Sequence, residues 1–227
     1  MHDDTLASAP HQSATPGGII PFGRYPQTAD GADRTPIQWR VLHNSAGELF
    51  ILSEYILDCK RYHGVYADTT WRDCDVRKWL NNEFYIAAFD AAEQEFVKTT
   101  CCTDNGEGSP DTEDKVFLLS VNEIKTFTHV SDEDGIRRRT VGTEFAKTKK
   151  SDGCQLYVYD KGIEKDYVIE HGAKHGCSWW WSRTQSQIKD GSSLRATFIG
   201  ARSNIKTYGR VDIARYGVRH ALILNLQ

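Results

Sequence analysis

Ile37-Gln-Trp-Arg-Val-Leu42 and Glu48-Leu-Phe-Ile-Leu-Ser53, with Asn44-Ser-Ala-Gly47 between them, decide the first half of the fold. The first segment alternates apolar and polar residues, and the second is a short, β-prone apolar run. Turn formers separate them, so the three together predict a β-hairpin. Downstream the period changes. Between Cys74 and Phe84 the apolar residues Val76, Trp79, Leu80 and Phe84 recur at helical spacing, with Asp73 as the expected cap. Asp90-Ala-Ala-Glu93 and Ser120-Val-Asn-Glu123 each set a glutamate three residues after a capping side chain. That pattern predicts two further short helices, the second running to about Phe127. A fourth is expected over 143–149. Val116 to Leu119 reads as a short buried strand, and Asn105 to Glu113 as a turn-rich loop. Strand-like runs return at Ser178-Trp-Trp-Trp-Ser182, Ala196-Thr-Phe-Ile199 and Val218 to Leu224, with long polar stretches between them. Helices in the middle and strands at both ends predict one α+β domain whose sheet is closed by both ends of the chain.

The chain has 227 residues, of which 39% are hydrophobic, including six Trp, ten Tyr and nine Phe. That content supports a core and excludes wholesale disorder. No run approaches the ~18 apolar residues of a membrane helix, so no membrane span is expected. The opening Met1-His-Asp-Asp lacks an apolar h-region, and no secretory signal is visible. This leaves a cytoplasmic location, or a virion or cell surface reached through a partner. Residues 1–18 are small and polar and read as a disordered leader, which leaves residues 19–227 as the domain. The six cysteines are expected as thiols, because a chain of this length needs no staples and the neighbours Cys101 and Cys102 would make a strained pair.

No phosphate-binding G-x-x-x-x-G-K-[ST] loop, dinucleotide G-x-G-x-x-G turn or G-x-S-x-G elbow is present. Cys154, His171, His175 and Cys177 are zinc ligands by type, but their spacing fits no zinc class, so neither a metal nor another cofactor is expected. Charge is unevenly placed. Residues 178–227 hold eight basic and two acidic residues, a net of +6, whereas the rest holds 20 basic and 29 acidic, a net of −9. On a strand, Trp180 would face opposite to Trp179 and Trp181, so part of this run is core and part is free to floor a site. The polar stretches between Ser182 and Gly217 combine Arg, Tyr, Ser and Asn, a composition suited to recognition loops. Interleaved Arg and Tyr can also meet phosphates and bases, but the acidic remainder and the lack of an RNA-binding motif argue against a nucleic-acid partner.

Several pieces stand in a fixed order: Phe22-Gly-Arg-Tyr-Pro-Gln27, Ile37 to Leu42, Leu52-Ser-Glu-Tyr-Ile-Leu-Asp58, Thr70-Trp-Arg-Asp-Cys-Asp-Val-Arg-Lys-Trp-Leu-Asn-Asn-Glu-Phe84, Lys115-Val-Phe-Leu-Leu-Ser120, Trp180-Trp-Ser-Arg-Thr184 and Gly217-Val-Arg219. In this order the chain resembles a bacterial family of domains of unknown function with the pattern FGxYPQ, IxWxVL, LLSxYxLD, TWxxSxLRxWLNxxF, VFLLS, WWLRS and GVRPA. The last two pieces are also similar to anchors of the C-type-lectin-like fold of formylglycine-generating enzymes and of the variable proteins of diversity-generating retroelements. The resemblance implies a C-type-lectin-like scaffold presenting an exposed face over about 181–216, where variable proteins carry their diversified residues. Contributors to that face are expected to be Trp181, Arg183, Gln185, Arg195, Arg202, Asn204, Tyr208, Arg210 and Tyr216, with a protein or a surface glycan as ligand. Substitution of Arg183, Arg202, Arg210 or Tyr208 is expected to spare stability. Asp190 and Asp212 are the only acids in this segment, which disfavours calcium-dependent sugar binding. The alternatives are an oxidoreductase like the formylglycine-generating enzymes and a structural domain of a phage or cell-surface assembly. The oxidoreductases use a late cysteine pair, whereas no cysteine follows Cys177 here.

Overall fold

The chain begins with three antiparallel strands, β1 (Ile19–Arg24), β2 (Pro36–Ser45) and β3 (Glu48–Ser53), in a computed structural model describing residues 12–45, 47–130, 136–158, 167–170, 173–186 and 194–227, with backbone alone at 167–170 and 173–175. Then come β4 (Asp58–Cys59), α1 (Asp75–Trp79), a π-helical turn (Leu80–Phe84), α2 (Tyr85–Ala88), α3 (Ala91–Phe96), β5 (Thr100–Cys102), β6 (Thr112–Asp114), α4 (Val121–Phe127) and α5 (Glu144–Lys147). The remaining strands are β7 (Tyr167–Glu170), β8 (Ala173–Gly176), β9 (Trp180–Ser186), β10 (Arg195–Ile199), β11 (Ile205–Arg210), β12 (Gly217–Val218) and β13 (Ala221–Asn225). The fold is therefore α+β, as expected.

The hairpin at 36–53 forms because one face of β2 is wholly apolar: Ile37, Trp39 and Val41 are buried while Gln38 lies outside. The register shifts between Val41 and His43, so Leu42 is buried as well. The last strand, β13, pairs with β3 and completes a four-stranded sheet in the order β1-β2-β3-β13. Both ends of the described chain thus meet in one sheet. Residues 12–18, read as leader, are tied to it: Gly17 N–H donates to Val41 O at 2.8 Å and Gln12 Nε2 to Leu226 O at 3.1 Å.

The second sheet runs β11-β10-β9-β12-β4, antiparallel except for the β12–β9 pair. Arg219 ties the two sheets together. It follows β12, is 2% exposed, and donates to Ser53 O at 2.8 Å and to Arg137 O at 3.1 Å while lying over the Trp180 ring. Burial pushes its guanidinium down to about 10, opposed by the Glu54 carboxylate.

The two capping boxes, Asp90 with Glu93 and Ser120 with Glu123, are both present. The first helix starts one residue later than expected. Cys74 occupies the cap position without a side-chain bond, because the Asp73 carboxylate accepts instead from Thr70 Oγ1 at 2.9 Å. The π-helical turn holds Asn81, whose amide group donates to Val116 O and accepts from Lys115 N–H. Val116 to Leu119, expected as a strand, is buried but forms only a bridge from Phe117 to Ala221, while β6 lies in the stretch expected as loop. Within Val218 to Leu224, a single strand by expectation, Arg219 and His220 divide β12 from β13.

Candidate ligand-binding site

Trp179 is half-buried just before β9, and the strand carries Trp180 and Trp181 inward on opposite faces, both fully buried. Each indole N–H finds a carbonyl: Trp180 Nε1 donates to Arg138 O at 3.2 Å, and Trp181 Nε1 to Lys60 O at 2.9 Å. Tyr216, ahead of β12, packs against Trp181 with ring centres 4.0 Å apart, against Phe198 at 4.7 Å and against Trp179 at 5.5 Å. Phe198 in turn meets the edge of Tyr208 on β11 at 5.6 Å. These rings make one continuous aromatic layer with Trp181 at its base.

A cavity of about 280 Å³ opens over this layer. Trp179, Phe198, Tyr208 and Tyr216 line it on the aromatic side, and the β10–β11 turn supplies Arg202 and Asn204, with Lys206 on β11. Among the described residues no carboxylate lines it. Tyr208 is 56% exposed although it is a large apolar ring. Burial, and secondarily the neighbouring Tyr208, push the Tyr216 phenol up to about 12, so its hydroxyl keeps its proton at neutral pH. The turn is tight: Gly200 N–H donates to Asn204 O at 2.8 Å, and Ser203 adopts the left-handed region with φ 68°. Arg138, buried beneath, reaches Ser203 O at 3.4 Å. Arg202 and Asn204 are both exposed on this turn.

Of the nine residues expected on the face, Arg202, Asn204, Tyr208 and Tyr216 come together here. Arg195, half-buried on β10, lies behind them and donates to Tyr208 O at 2.9 Å. Arg210 is exposed but held elsewhere, ion-paired to Asp212 at 2.8 Å and stacked over Tyr66. Trp181, Arg183 and Gln185 do not lie on an exposed face. Trp181 supports the aromatic layer from below. Gln185 is 5% exposed and its amide donates to Thr69 O. Arg183 is 2% exposed, in a bidentate pair with Glu123 at 2.6 and 2.7 Å, and it also donates to Leu118 O, Thr103 O and Asn105 Oδ1. The reason is that β9 meets β10 through a register shift between Trp181 and Gln185 and is covered on both sides, with the aromatic layer against Trp181 and α4 with the loop before it against Arg183. Trp179, Phe198 and Lys206 were not anticipated in the site. Of the Trp run, Trp181 and not Trp179 was expected on the face; the partners that turn Trp179 towards the cavity are distant in sequence.

Of the four zinc-type residues, the two cysteines are not brought together. Cys177 packs against Val141 and Ala201, whereas Cys154 lies in the main core beside Cys59. His171 lies outside the described residues, as does the His175 side chain. Among the described residues no group of three or more His, Cys, Asp or Glu is placed to hold a metal, and no helix is long and apolar enough to cross a membrane.

No curated protein and no solved structure matches the chain. A family model does, over residues 46–226, a span that takes in the whole second sheet and every residue lining the aromatic cavity. On that match, the chain belongs to the family described as domain of unknown function DUF6273.

Proposed function

We propose that this domain is a recognition module, a variant of the C-type-lectin-like scaffold that captures a protein or a surface glycan through the aromatic cavity on the β10–β11 hairpin. The observation that carries the reading is the pairing of an aromatic floor with a basic rim formed by Arg202 and Lys206. A flat sugar or aromatic ring can stack on Trp179 and Tyr216, while Arg202 and Lys206 take an acidic substituent. Anchors of this kind, aromatic and Arg, supply most of the energy in interfaces, at roughly 2 kcal/mol or more each. The described residues of the rim include no carboxylate, which argues against calcium as the bridge.

A retroelement-type diversified surface would vary Arg202, Asn204, Lys206 and Tyr208 and spare the strands beneath. The encoding locus tests that part: a nearby reverse transcriptase and a near-copy of the 3′ end differing at adenines support it. Binding is tested on an array of neutral and acidic oligosaccharides and peptides, read with the unaltered protein and with Arg202→Ala and Tyr208→Ala. The expected result is capture of acidic, ring-bearing ligands that both variants lose. Capture retained by both variants, or none at all, would refute the reading.

A further inference from the structure

We propose that a second cavity, apart from the aromatic one, binds a small organic acid: a phosphate, sulfate or carboxylate group carried on a compact apolar or ring body. The cavity, of about 490 Å³, lies between the segment that follows α5 and the connection from β11 to β12. That size falls within the roughly 300–1,000 Å³ of small-molecule sites. Capture through the β10–β11 hairpin does not require this cavity, so the two readings stand or fall separately.

Two extended segments bonded to each other form its walls. Gln155 N–H donates to Ala214 O at 2.9 Å, and Tyr157 N–H to Arg215 O at 3.0 Å. A turn precedes the first wall: Gly153 N–H donates to Lys150 O at 3.0 Å, Lys150 N–H donates to Cys154 O at 2.8 Å, and Gly153 takes the left-handed region at φ 83°. Arg61 staples the two sides, its Nη1 donating to Asp152 O at 2.9 Å and its Nε to Asp212 O at 3.1 Å. Tyr157 is held by stacking on Trp179, with ring centres 4.4 Å apart. The walls are therefore in place without a ligand, and binding costs little further ordering.

The lining is part apolar and part basic. Leu156, Ile213 and Ala214 supply apolar surface, and Lys149 and Arg215, both exposed residues, supply two cations. Among the described residues neither cation is in an ion pair. Asp212 is the one carboxylate among the described lining residues, and Arg210 already holds both of its oxygens, at 3.1 and 2.8 Å. Two positive charges are left over, and one is a guanidinium, which can meet an oxyanion with two parallel N–H groups. A neutral ring would use the apolar surface alone, and an inorganic anion the cations alone. An acid on an apolar body uses both.

Nuclear magnetic resonance titration of the full isotope-labelled chain with phenyl phosphate, phenyl sulfate, benzoate, inorganic phosphate and benzyl alcohol tests this. Saturable backbone shifts at Gly153, Gln155, Tyr157 and Ala214 are expected with at least one of the three aromatic acids, and the tightest of them identifies the anionic group. Inorganic phosphate and benzyl alcohol should bind about tenfold more weakly. Lys149→Ala and Arg215→Ala should each weaken the tightest acid about tenfold, by loss of a charge-assisted hydrogen bond, with the melting temperature unchanged. Lys125→Ala, an exposed site on α4, should leave the affinity as it was and so controls for overall charge. Shifts confined to residues 198–208, no saturable binding, equal affinity for inorganic phosphate or benzyl alcohol, or full affinity in both cavity variants would overturn the proposal.

Discussion

Mild acid should weaken this fold through one side chain, His220. The residue sits between β12 and β13 with no exposed surface, its ring stacked on Phe84 at 3.9 Å and near Trp79 at 5.7 Å. Neither ring nitrogen has a hydrogen-bond partner among the described residues. Burial disfavours the imidazolium and pushes the folded-state value from 6.5 down to about 3, opposed only weakly by the Val218 backbone. Above pH 6.5 the imidazole is neutral in both states, and His220 contributes no pH dependence. Below it the unfolded chain takes up a proton that the folded chain refuses, so stability falls as the pH falls, through the whole window down to about 3. At ~1.4 kcal/mol per pH unit, moving from about pH 8 to about pH 5 removes about 2 kcal/mol through this group alone.

Urea unfolding of the unaltered protein and of His220→Leu at both pH values isolates the effect, because every other titrating group is common to the two proteins. Leucine has nearly the same volume and no polar atoms to leave unsatisfied, so at about pH 8 the substitution should change stability by less than about 1.5 kcal/mol. The backbone bonds of residue 220 to Ser53, at 2.8 and 3.0 Å, survive it. At about pH 5 the leucine variant should be the more stable by about 2 kcal/mol beyond its difference at pH 8. An identical difference at both pH values would refute the argument, since the imidazole would then have to be charged, or hydrated, inside the fold.

Arg183→Ala should destabilise the domain by about 3–5 kcal/mol in denaturant unfolding, because it leaves Glu123 and several carbonyls facing an empty space. An unchanged midpoint would count against the buried pair. Gly23→Ala should cost at least about 1–3 kcal/mol, since the residue has φ +64° and an added Cβ would lie 2.4 Å from the Phe89 ring; unaltered melting would show that β1 can shift. Tyr208→Ala and Arg202→Ala should each change stability by about 0.5 kcal/mol or less, measured by thermal melting, because their side chains project from the hairpin.

What could be read from the sequence was what local chemistry decides. The two capping boxes were legible because four consecutive residues contain all the partners. The 36–53 hairpin was legible because its apolar alternation and its turn lie within one short stretch. Arg183 was misplaced for the opposite reason. An arginine in a polar stretch is ordinarily exposed, and only Glu123, 60 residues earlier, makes burial tolerable. Strand β11 was read as loop because it is an edge strand with Thr207 and Tyr208 towards solvent, and it shows no apolar alternation to betray it. The cavity was half legible. Its exposed members, Arg202, Asn204 and Tyr208, are residue types that favour contact. Its floor depends on Trp179, Phe198 and Tyr216 meeting from three separate elements.

On the proposed reading, the hairpin would carry recognition without carrying the fold. The turn bearing Arg202 and Asn204 is fixed from inside, by Gly200 N–H on Asn204 O, by Ser203 in the left-handed region and by the buried Arg138 on Ser203 O. None of these contacts uses the exposed side chains. The strand that follows holds its place through β10, and β10 through β9, whose Trp180 and Trp181 are locked into opposite faces of the core. Conformational entropy is therefore spent in folding the scaffold and not again when a ligand arrives, which favours tight binding by few contacts. A side chain at 202, 204 or 208 can change without moving the backbone that presents it. The arginine that cannot change is Arg183, one strand deeper, where the charge serves the core.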